Sequence, residues 1–275
     1  MVSFLDQSIA IYAKKHAVVV NLNETIGYTF QFMIKYNIRH ISIINEQYKL
    51  VGVLTAEDIL RTLIHSENAK FLQLKNHEVM STDVQFVEDS QTLRDTIILM
   101  DKTDVTAMPV LVDGAYDGIF TDKDILQMDR IWRTIPDSSV TSYRGIGRKI
   151  FPEDIISKDF TLWEAATHIL RNNSRFILIK DEDERFSGMV SVNKILGSIV
   201  PLLMFGRSDM SFLKKMKIHT IVRESILSRN SPALIMPTRM MIKNQGMEAV
   251  MLFENQRPVK LITQKDIVGH LIDYL

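Results

Sequence analysis

The chain has no cysteine and no net charge, and both absences limit the functions that it can have. None of its 275 residues is cysteine, so disulfides, cysteine-ligated zinc, iron–sulfur clusters and thiol catalysis are excluded. Lys and Arg together number 33, and so do Asp and Glu. A chain with this balance lacks a long-range field that would attract nucleic acid or an anionic membrane. We therefore do not expect nucleic acid to be the main partner.

Long apolar runs are also missing. The most apolar stretch, near Ser198 to Phe205, is far shorter than the ~20 residues that a membrane-spanning helix needs. The N-terminus carries Asp6 and has no basic lead into an apolar core, so it does not resemble a signal peptide. The composition, 46% apolar and 24% charged, is typical of globular domains with real cores. We expect a soluble, cytoplasmic protein without a membrane segment.

One short phrase returns four times along the chain. GVLTAEDIL at Gly52 reappears as GIFTDKDIL at Gly118, as GMVSVNKIL at Gly188 and, less closely, as KLITQKDIV at Lys260. The Thr or Ser of the phrase recurs at intervals of about 70 residues, a quarter of the chain. A fixed period of this kind indicates four tandem structural repeats.

A second pattern keeps the same period. In each repeat, a polar residue that could cap a helix precedes an apolar strand by a nearly constant interval; the candidate caps are Asn23, Ser90, Asp159 and Ser231. Apolar residues at helical spacing follow each cap, and two strands around a turn lead into the repeated phrase. In repeat four, Pro237 should kink or shorten the first helix. The predicted fold class is α/β (α+β), with a βαββα unit in every repeat.

The four repeats resemble cystathionine-β-synthase (CBS) domains. The shared features are the ending Gly-apolar-apolar-Thr/Ser-x-x-Asp and the preceding strands HISIIN, MPVLVD, FILIKD and AVMLFE. The resemblance implies CBS domains at 1–70, 71–134, 146–205 and 215–275, with 135–145 as the linker. It also implies two Bateman modules forming a disc, similar in layout to the γ subunit of AMP-activated protein kinase. We expect each module to pack against the other through helices.

The resemblance also implies a ligand and a regulatory role. CBS domains bind adenosine-containing ligands, so we expect an adenine nucleotide (AMP, ADP or ATP) or S-adenosylmethionine, with no metal required. The family usually acts as a sensor rather than as an enzyme. This predicts an energy-sensing module that regulates an unidentified protein partner. A four-domain chain can close the disc alone, so a monomer and a homodimer both stay open.

The recurring Thr and Asp have two interpretations. A Thr-x-x-Asp at a helix start is a capping box, in which the Thr hydroxyl accepts an orphan backbone N–H. The same residues can also bind a nucleotide, because the Thr hydroxyl and the helix N–H groups suit a phosphate. The Asp carboxylate repels phosphate but can accept hydrogen bonds from a ribose diol. The recurrence at matched spacing and the family resemblance favour the ligand role.

In the family pattern, the Asp of one domain works with strands of the paired domain. Site two is the most complete, because it has a ribose carboxylate, a phosphate hydroxyl and cations; Arg suits phosphate geometrically. Its residues are Thr121, Asp124, Ile38, Arg39, His40, Ala17 and Val18.

The other three sites are less complete. Site four keeps the carboxylate and a cation, and comprises Thr263, Asp266, Asn173, Ser174 and Arg175. Site one has no basic residue at the phosphate position, and comprises Thr55, Asp58, Val105, Thr106 and Ala107. Site three would combine Ser191 and Lys194 with Gly246 and Met247. Because Lys194 replaces the Asp there, we expect that site to be empty or altered.

Two other functions stay open beside nucleotide sensing. The main alternative is a ligand-independent protein interaction scaffold with degraded sites, as Lys194 suggests. An enzyme is not expected, because Gly-x-Ser-x-Gly, His-Glu-x-x-His and Walker motifs are all missing. The 7 histidines show no metal-ligand spacing.

Overall fold

The chain folds into two compact units. In a computed structural model, the described residues are 3–15, 17–134, 146–204, 210–222, 227–228, 249–254 and 257–275. Unit 1 holds repeats two and four and comprises Met1–Ala17, Gln85–Ile150 and Ile226–Leu275. Unit 2 holds repeats one and three and comprises Val18–Val84 and Phe151–Ser225. The predicted linker 135–145 and the predictions for Ser231 and Pro237 lie outside the described residues.

Strands and short helices alternate through each repeat. In the first half of the chain the elements are β1 (Lys14–Lys15), β2 (Val19–Asn21), α1 (Ile26–Tyr36), β3 (His40–Ile44), β4 (Leu50–Thr55), α2 (Ala56–Ser66), β5 (Val87–Glu88), α3 (Leu93–Lys102), β6 (Ala107–Val112), β7 (Ala115–Thr121), α4 (Asp122–Gln127) and α5 (Asp129–Trp132). In the second half they are β8 (Arg148–Lys149), β9 (Ile155–Ser157), α6 (Leu162–Arg171), β10 (Phe176–Lys180), β11 (Phe186–Ser191), α7 (Val192–Met204), β12 (Leu227–Ser228), β13 (Ala249–Glu254), β14 (Arg257–Thr263) and α8 (Gln264–Ile272).

Each repeat builds its own small sheet with the same topology. In repeat one the middle strand β3 runs parallel to β2 and antiparallel to β4. The strands β9, β10 and β11 repeat this order in repeat three, as do β5, β6 and β7 in repeat two and β12, β13 and β14 in repeat four. The α+β fold of βαββα repeats predicted from the sequence is confirmed.

The first helix of each described repeat begins two residues later than predicted. Thr25, Thr92 and Thr161 are the N-caps of α1, α3 and α6, and the hydroxyl of each accepts a backbone N–H. The prediction that Asn23, Ser90 and Asp159 cap these helices is therefore wrong. Those residues lie in the turn before the helix, as the bond from the N–H of Asn23 to Asn21 Oδ1 (2.9 Å) illustrates.

Helices join the two repeats of each unit. In unit 2, α2 packs against α6 and α7, and in unit 1, α4 packs against α8. The α2 side chains Ile59, Leu60 and Leu63 are fully buried in a core shared by repeats one and three. A second core is shared by repeats two and four. The predicted packing of one half of the chain against the other through helices is thus present inside each unit.

The segment that leads into each repeat covers a different repeat. Strand β1, which precedes repeat one, pairs antiparallel with β7 of repeat two. In the reverse direction, Ser81 precedes repeat two and forms an isolated antiparallel bridge with Val53 of repeat one. Strand β8, which precedes repeat three, pairs with β14 of repeat four. Repeats one and two therefore exchange their leading segments.

Candidate ligand-binding sites

The Thr or Ser of the repeated phrase lies opposite the start of the middle strand of the same repeat. Four cross-strand pairs have this register: His40–Thr55, Ala107–Thr121, Phe176–Ser191 and Ala249–Thr263. The following helix begins at the next residue in every case. This geometry places each helix N-terminus at the same edge of its sheet as the loop that enters the middle strand.

In repeats one, two and four, one oxygen of the predicted ribose carboxylate closes the helix cap. Oδ2 of Asp58 accepts hydrogen bonds from the backbone N–H of Thr55 (3.0 Å) and from its hydroxyl (2.6 Å). The same two bonds measure 2.9 and 2.5 Å between Thr121 and Asp124. They measure 2.7 and 2.6 Å between Thr263 and Asp266. The capping interpretation is therefore correct for α2 and α8, where the hydroxyls of Thr55 and Thr263 also accept the N–H of Asp58 (3.1 Å) and of Asp266 (3.3 Å). In all three repeats the cap uses only one carboxylate oxygen.

The second oxygen has a different environment in each repeat. Oδ1 of Asp124 forms an ion pair with Nζ of Lys14 at 2.6 Å, and the Asp124 side chain is only 7% exposed. Oδ1 of Asp58 and Oδ1 of Asp266 have no hydrogen-bond or ion-pair partner among the described residues. Two of the three carboxylates thus keep an acceptor for a further donor, and the third has a lysine in that place.

Repeat three lacks this arrangement, as the sequence predicts. Its helix start has Ser191 Oγ accepting the N–H of Lys194 at 3.4 Å, and a lysine replaces the carboxylate. The residues that would complete this site, Gly246 and Met247, lie outside the described residues.

The predicted cations of sites two and four meet in unit 2. The pKa of His40 falls from 6.5 to about 3, chiefly because the ring is buried and then because Arg39 and Arg175 place positive charge near it. The ring is therefore neutral at pH 7. The sequence predicts Arg39 and Arg175 in different sites, whereas both lower the pKa of the same histidine. Guanidinium groups near one neutral ring are suited to bind an anionic group.

The loop residues of the predicted sites have structural roles of their own. Asn173 has a φ of 46°, the left-handed conformation that ends α6. The N–H of Ser174 donates to Ile169 at 3.0 Å, and its hydroxyl donates to the carbonyl of Phe176 at 2.7 Å. The equivalent N–H groups of Ile38 and Val105 close the ends of α1 and α3 in the same way, each with a bond of 3.0 Å.

The residue that follows each of these N–H groups accepts a hydrogen bond from the start of the second helix of its repeat, through its backbone carbonyl. The carbonyls of Arg39, Thr106 and Arg175 accept the first helical N–H of α2, α4 and α7, at 3.0, 3.1 and 3.2 Å. One orphan donor at each helix start is thereby satisfied within the protein. Thr106 itself is buried, and Ala107 begins β6 beside it. Ala17 ends the leading segment of unit 1, and Val18 packs against the core of unit 2.

Asp266 borders a cleft in unit 1. The cleft has a volume of about 390 Å³ and lies between α3, the residues before β8, and α8. Its lining includes Asp101, Gly147, Asp266, His270 and Asp273. Among the described residues, Nε2 of His270 is a buried atom without a hydrogen-bond partner. This volume is sufficient for a small molecule, and Asp266 is one of the residues that line it.

Each predicted site takes its residues from both units. Unit 2 carries Val18, Ile38, Arg39, His40, Thr55, Asp58, Asn173, Ser174 and Arg175. Unit 1 carries Ala17, Val105, Thr106, Ala107, Thr121, Asp124, Thr263 and Asp266. The assembly of the two sets into complete sites stays a prediction.

The glycine of the repeated phrase allows a leading segment to lie close to the strand. A Cβ on Gly118 would meet the carbonyl oxygen of Lys14 at 2.6 Å, and one on Gly52 would meet that of Ser81 at 2.9 Å. Repeat four has Lys260 at this position. Its glycine lies instead in the segment that pairs with β14, just before β8. Gly147 has a φ of 84°, and a Cβ on it would lie 2.7 Å from the carbonyl oxygen of Leu261. The loss of the family glycine is thus compensated.

Sequence reasoning missed two features of these sites. Lys14 contacts Asp124 from more than a hundred residues away in the chain, and no motif marks it. The sequence Thr92-Leu-Arg-Asp95 also matches Thr-x-x-Asp, but it caps α3 and belongs to none of the predicted sites. The second feature shows that the short motif alone does not identify a ligand site.

The described residues contain neither a group of metal ligands nor a membrane-spanning helix. No three His, Asp or Glu side chains in the described part of the chain are grouped so that they could hold a metal ion. Within the same residues, none of the helices combines the length and apolarity required to cross a bilayer.

A family model named CBS domain matches residues 9–65, 77–130 and 151–201, which together make up more than half of the chain. The chain belongs to the CBS-domain family. The family resemblance inferred from the repeated phrase is confirmed, and the fourth repeat of this CBS protein lies outside the three matched regions.

Solved structures resemble almost the whole CBS chain. Protein MJ1225 of Methanocaldococcus jannaschii, described as a candidate archaeal homologue of γ-AMPK, has 20% sequence identity and a TM-score of 0.79. The match covers 96% of this chain and 99% of that one. An uncharacterised conserved protein of Pyrococcus horikoshii has 18% identity and a TM-score of 0.61, over 96% of this chain and 100% of that one. These likenesses establish the fold.

A curated relative matches a shorter part of the CBS chain. L-aspartate semialdehyde sulfurtransferase of M. jannaschii is 30% identical over 115 residues, which are 42% of this chain and 21% of that protein. The matched segment thus spans about a fifth of the length of this relative.

Proposed function

We propose that this CBS protein is a regulatory sensor that binds adenine nucleotides and transmits binding to a partner protein. The observation that supports the proposal is that the two oxygens of each helix-start carboxylate have different roles. Oδ2 of Asp58 and of Asp266 holds the helix cap, while Oδ1 has no partner among the described residues. A carboxylate oxygen in this position is a strong acceptor for a ribose hydroxyl.

The remaining groups match the other parts of a nucleotide. The helix N-termini after Thr55, Thr121 and Thr263 carry N–H groups and a partial positive charge that suit phosphate. Arg39 and Arg175, which both place positive charge near the neutral His40 ring in unit 2, supply further positive charge. AMP, ADP, ATP and S-adenosylmethionine all contain the ribose that the carboxylates would bind, and none of these proposed contacts requires a metal.

Ligand binding can regulate a partner only through a difference in affinity between two arrangements of the protein. In this proposal the nucleotide favours one arrangement of the repeats, and the partner protein binds that arrangement differently. The protein would therefore report the nucleotide level in the cell without transforming the nucleotide.

Calorimetric titration of the whole chain with AMP, ADP, ATP and S-adenosylmethionine tests the proposal. The variants Asp58→Asn and Asp266→Asn should each weaken binding at their site by about 10- to 100-fold, because each removes a charged acceptor. The matched control is Asp95→Asn. Asp95 likewise accepts the hydroxyl of an N-cap threonine, Thr92 (2.7 Å), but lies outside the predicted sites, so affinity should not change.

Absence of binding heat from all four compounds at sub-millimolar concentration would contradict nucleotide sensing. A ligand-independent interaction scaffold would then be the better interpretation, and one observation favours it. On α1, the rings of Tyr28, Phe32 and Tyr36 form a ladder with centroid distances of 4.9 and 6.0 Å, and both tyrosines are exposed. Exposed aromatic faces of this kind are enriched at protein interfaces.

A further inference from the structure

Asp124 differs from the other helix-start carboxylates because a lysine already binds it. Nζ of Lys14 lies 2.6 Å from Oδ1, and Oδ2 is used by the cap. The Lys14 side chain is 52% exposed, whereas Asp124 is 7% exposed. The charge of a nearly buried carboxylate is thus balanced by a flexible side chain that reaches it from solvent.

The lysine is held at this place by backbone pairing. Lys14 lies opposite Ile119 in the β1–β7 ladder, two residues before Thr121. Its neighbour Lys15 lies opposite Gly118 and pairs with Asp117 at 3.5 Å instead. The close approach that Gly118 permits brings the Lys14 backbone against β7.

Other repeats carry different residues at the same register. In repeat one, Ser81 faces Val53, which stands two residues before Thr55. In repeat one a serine therefore occupies the register position that Lys14 has in repeat two. In repeat four, Arg148 faces Leu261, two residues before Thr263. Asp266 nevertheless has no ion pair among the described residues.

We propose that Lys14 is a specificity-determining residue that restricts the Asp124 site to ligands with an anionic group next to the ribose, such as nucleoside phosphates. This inference rests on the proposed nucleotide-binding function. It separates AMP, ADP and ATP from adenosine and from the cationic S-adenosylmethionine, which ribose recognition alone does not separate.

The physical reason is an exchange of ion pairs. A ribose diol needs Oδ1 of Asp124, and Lys14 must leave that oxygen when the diol binds. If the ligand carries a phosphate, the ammonium group can move to the phosphate on its flexible stem, so both charges keep a partner. If the ligand is a nucleoside, Lys14 loses its partner and the binding free energy becomes less favourable. A cationic ligand gains nothing from Lys14 and is repelled by it.

The test uses the whole chain with the substitutions Asp58→Asn and Asp266→Asn, in which Asp124 is the remaining helix-start carboxylate of the three. Calorimetry measures the affinities for AMP, adenosine and S-adenosylmethionine in this background. AMP should bind more tightly than both other compounds. Lys14→Met should weaken AMP binding by about tenfold and leave adenosine binding equal or tighter. Lys14→Arg should restore the preference for AMP.

Lys15→Met is the matched control, because it removes the adjacent positive charge without touching Asp124. It should leave the ratio of AMP to adenosine affinity unchanged. The proposed role of Lys14 would be overturned if Lys14→Met and Lys15→Met had the same ratio of AMP to adenosine affinity. It would also be overturned if S-adenosylmethionine bound as tightly as AMP. If the unsubstituted chain binds none of the three compounds, the proposed function itself is wrong.

Discussion

At the scale of single residues, the helix-start carboxylates show that a structural role and a binding role need not exclude each other. Asp58 stabilises its helix through Oδ2 alone. The motif Thr-x-x-Asp is therefore not decisive, since Asp95 makes a similar cap without belonging to a predicted site. What distinguishes the candidate residues is that they are buried or partly buried at the start of the second helix of a repeat, whereas Asp95 is exposed at the start of a first helix.

At the same scale, His40 predicts how the stability of the folded protein depends on pH. Its pKa is lowered from 6.5 to about 3 in the folded protein, by burial first and then by Arg39 and Arg175. Between these two pH values the unfolded chain binds a proton that the folded protein does not, so stability is full above pH 6.5 and falls as the pH falls. We expect His40 to account for a loss of up to about 2 kcal/mol at pH 5.

Urea unfolding at pH 7 and pH 5 measures this loss. In His40→Gln the loss between the two pH values should shrink by the same amount, because glutamine does not titrate. The other histidines are common to both proteins and cancel in the comparison. An identical pH dependence in the two proteins would show that His40 remains protonatable in the folded state.

At the scale of secondary-structure elements, the sequence predicts the order of strands and helices but not their contacts. The period of the repeated phrase gives the βαββα unit, since apolar spacing is a local property. The sequence places the helix starts two residues too early because Asn23 and Asp159 belong to turns, and helix caps and turns favour the same polar side chains. The β1–β7 pairing joins two dipeptide-length segments across a hundred residues, so no local pattern reveals Lys14.

The close approach of β1 to β7 gives a prediction for Gly118. A Cβ there would meet a backbone oxygen of Lys14 at 2.6 Å, and the backbone must move to relieve this clash. Gly118→Ala should lower the free energy of unfolding by about 1 to 3 kcal/mol, as overpacking generally does. Gly197→Ala is the control: its Cβ would meet no atom within 4 Å, and in the interior of α7 it should stabilise by about 0.5 to 1 kcal/mol. Denaturant unfolding measures whether each variant raises or lowers the free energy of unfolding. Stabilisation by Gly118→Ala would contradict the close approach of β1 to β7.

At the scale of the whole molecule, the compact units do not follow the order of the repeats. Each unit combines one repeat from each half of the chain, and exchanged leading segments add further long-range pairs. The sequence predicts that helices join the halves, but the apolar faces of α2 and α4 are too alike in composition to specify which repeats meet. That choice depends on side-chain packing between helices far apart in the chain.

The dependence of each unit on both halves predicts the behaviour of a fragment. Residues 1–134 contain α2 and α4 but lack α6, α7 and α8, against which these helices pack. The fragment would expose the part of α2 that packs against α6 and α7, a helix whose Ile59, Leu60 and Leu63 are fully buried in the whole chain. Exposed apolar surface favours association. Light scattering after size-exclusion chromatography should show a dimer or larger species.

The substitution Leu63→Lys should reduce self-association, because it places a charge in the exposed face. A fragment that is monomeric and as stable as the whole chain would show that each half folds independently, and that the shared cores contribute little to stability.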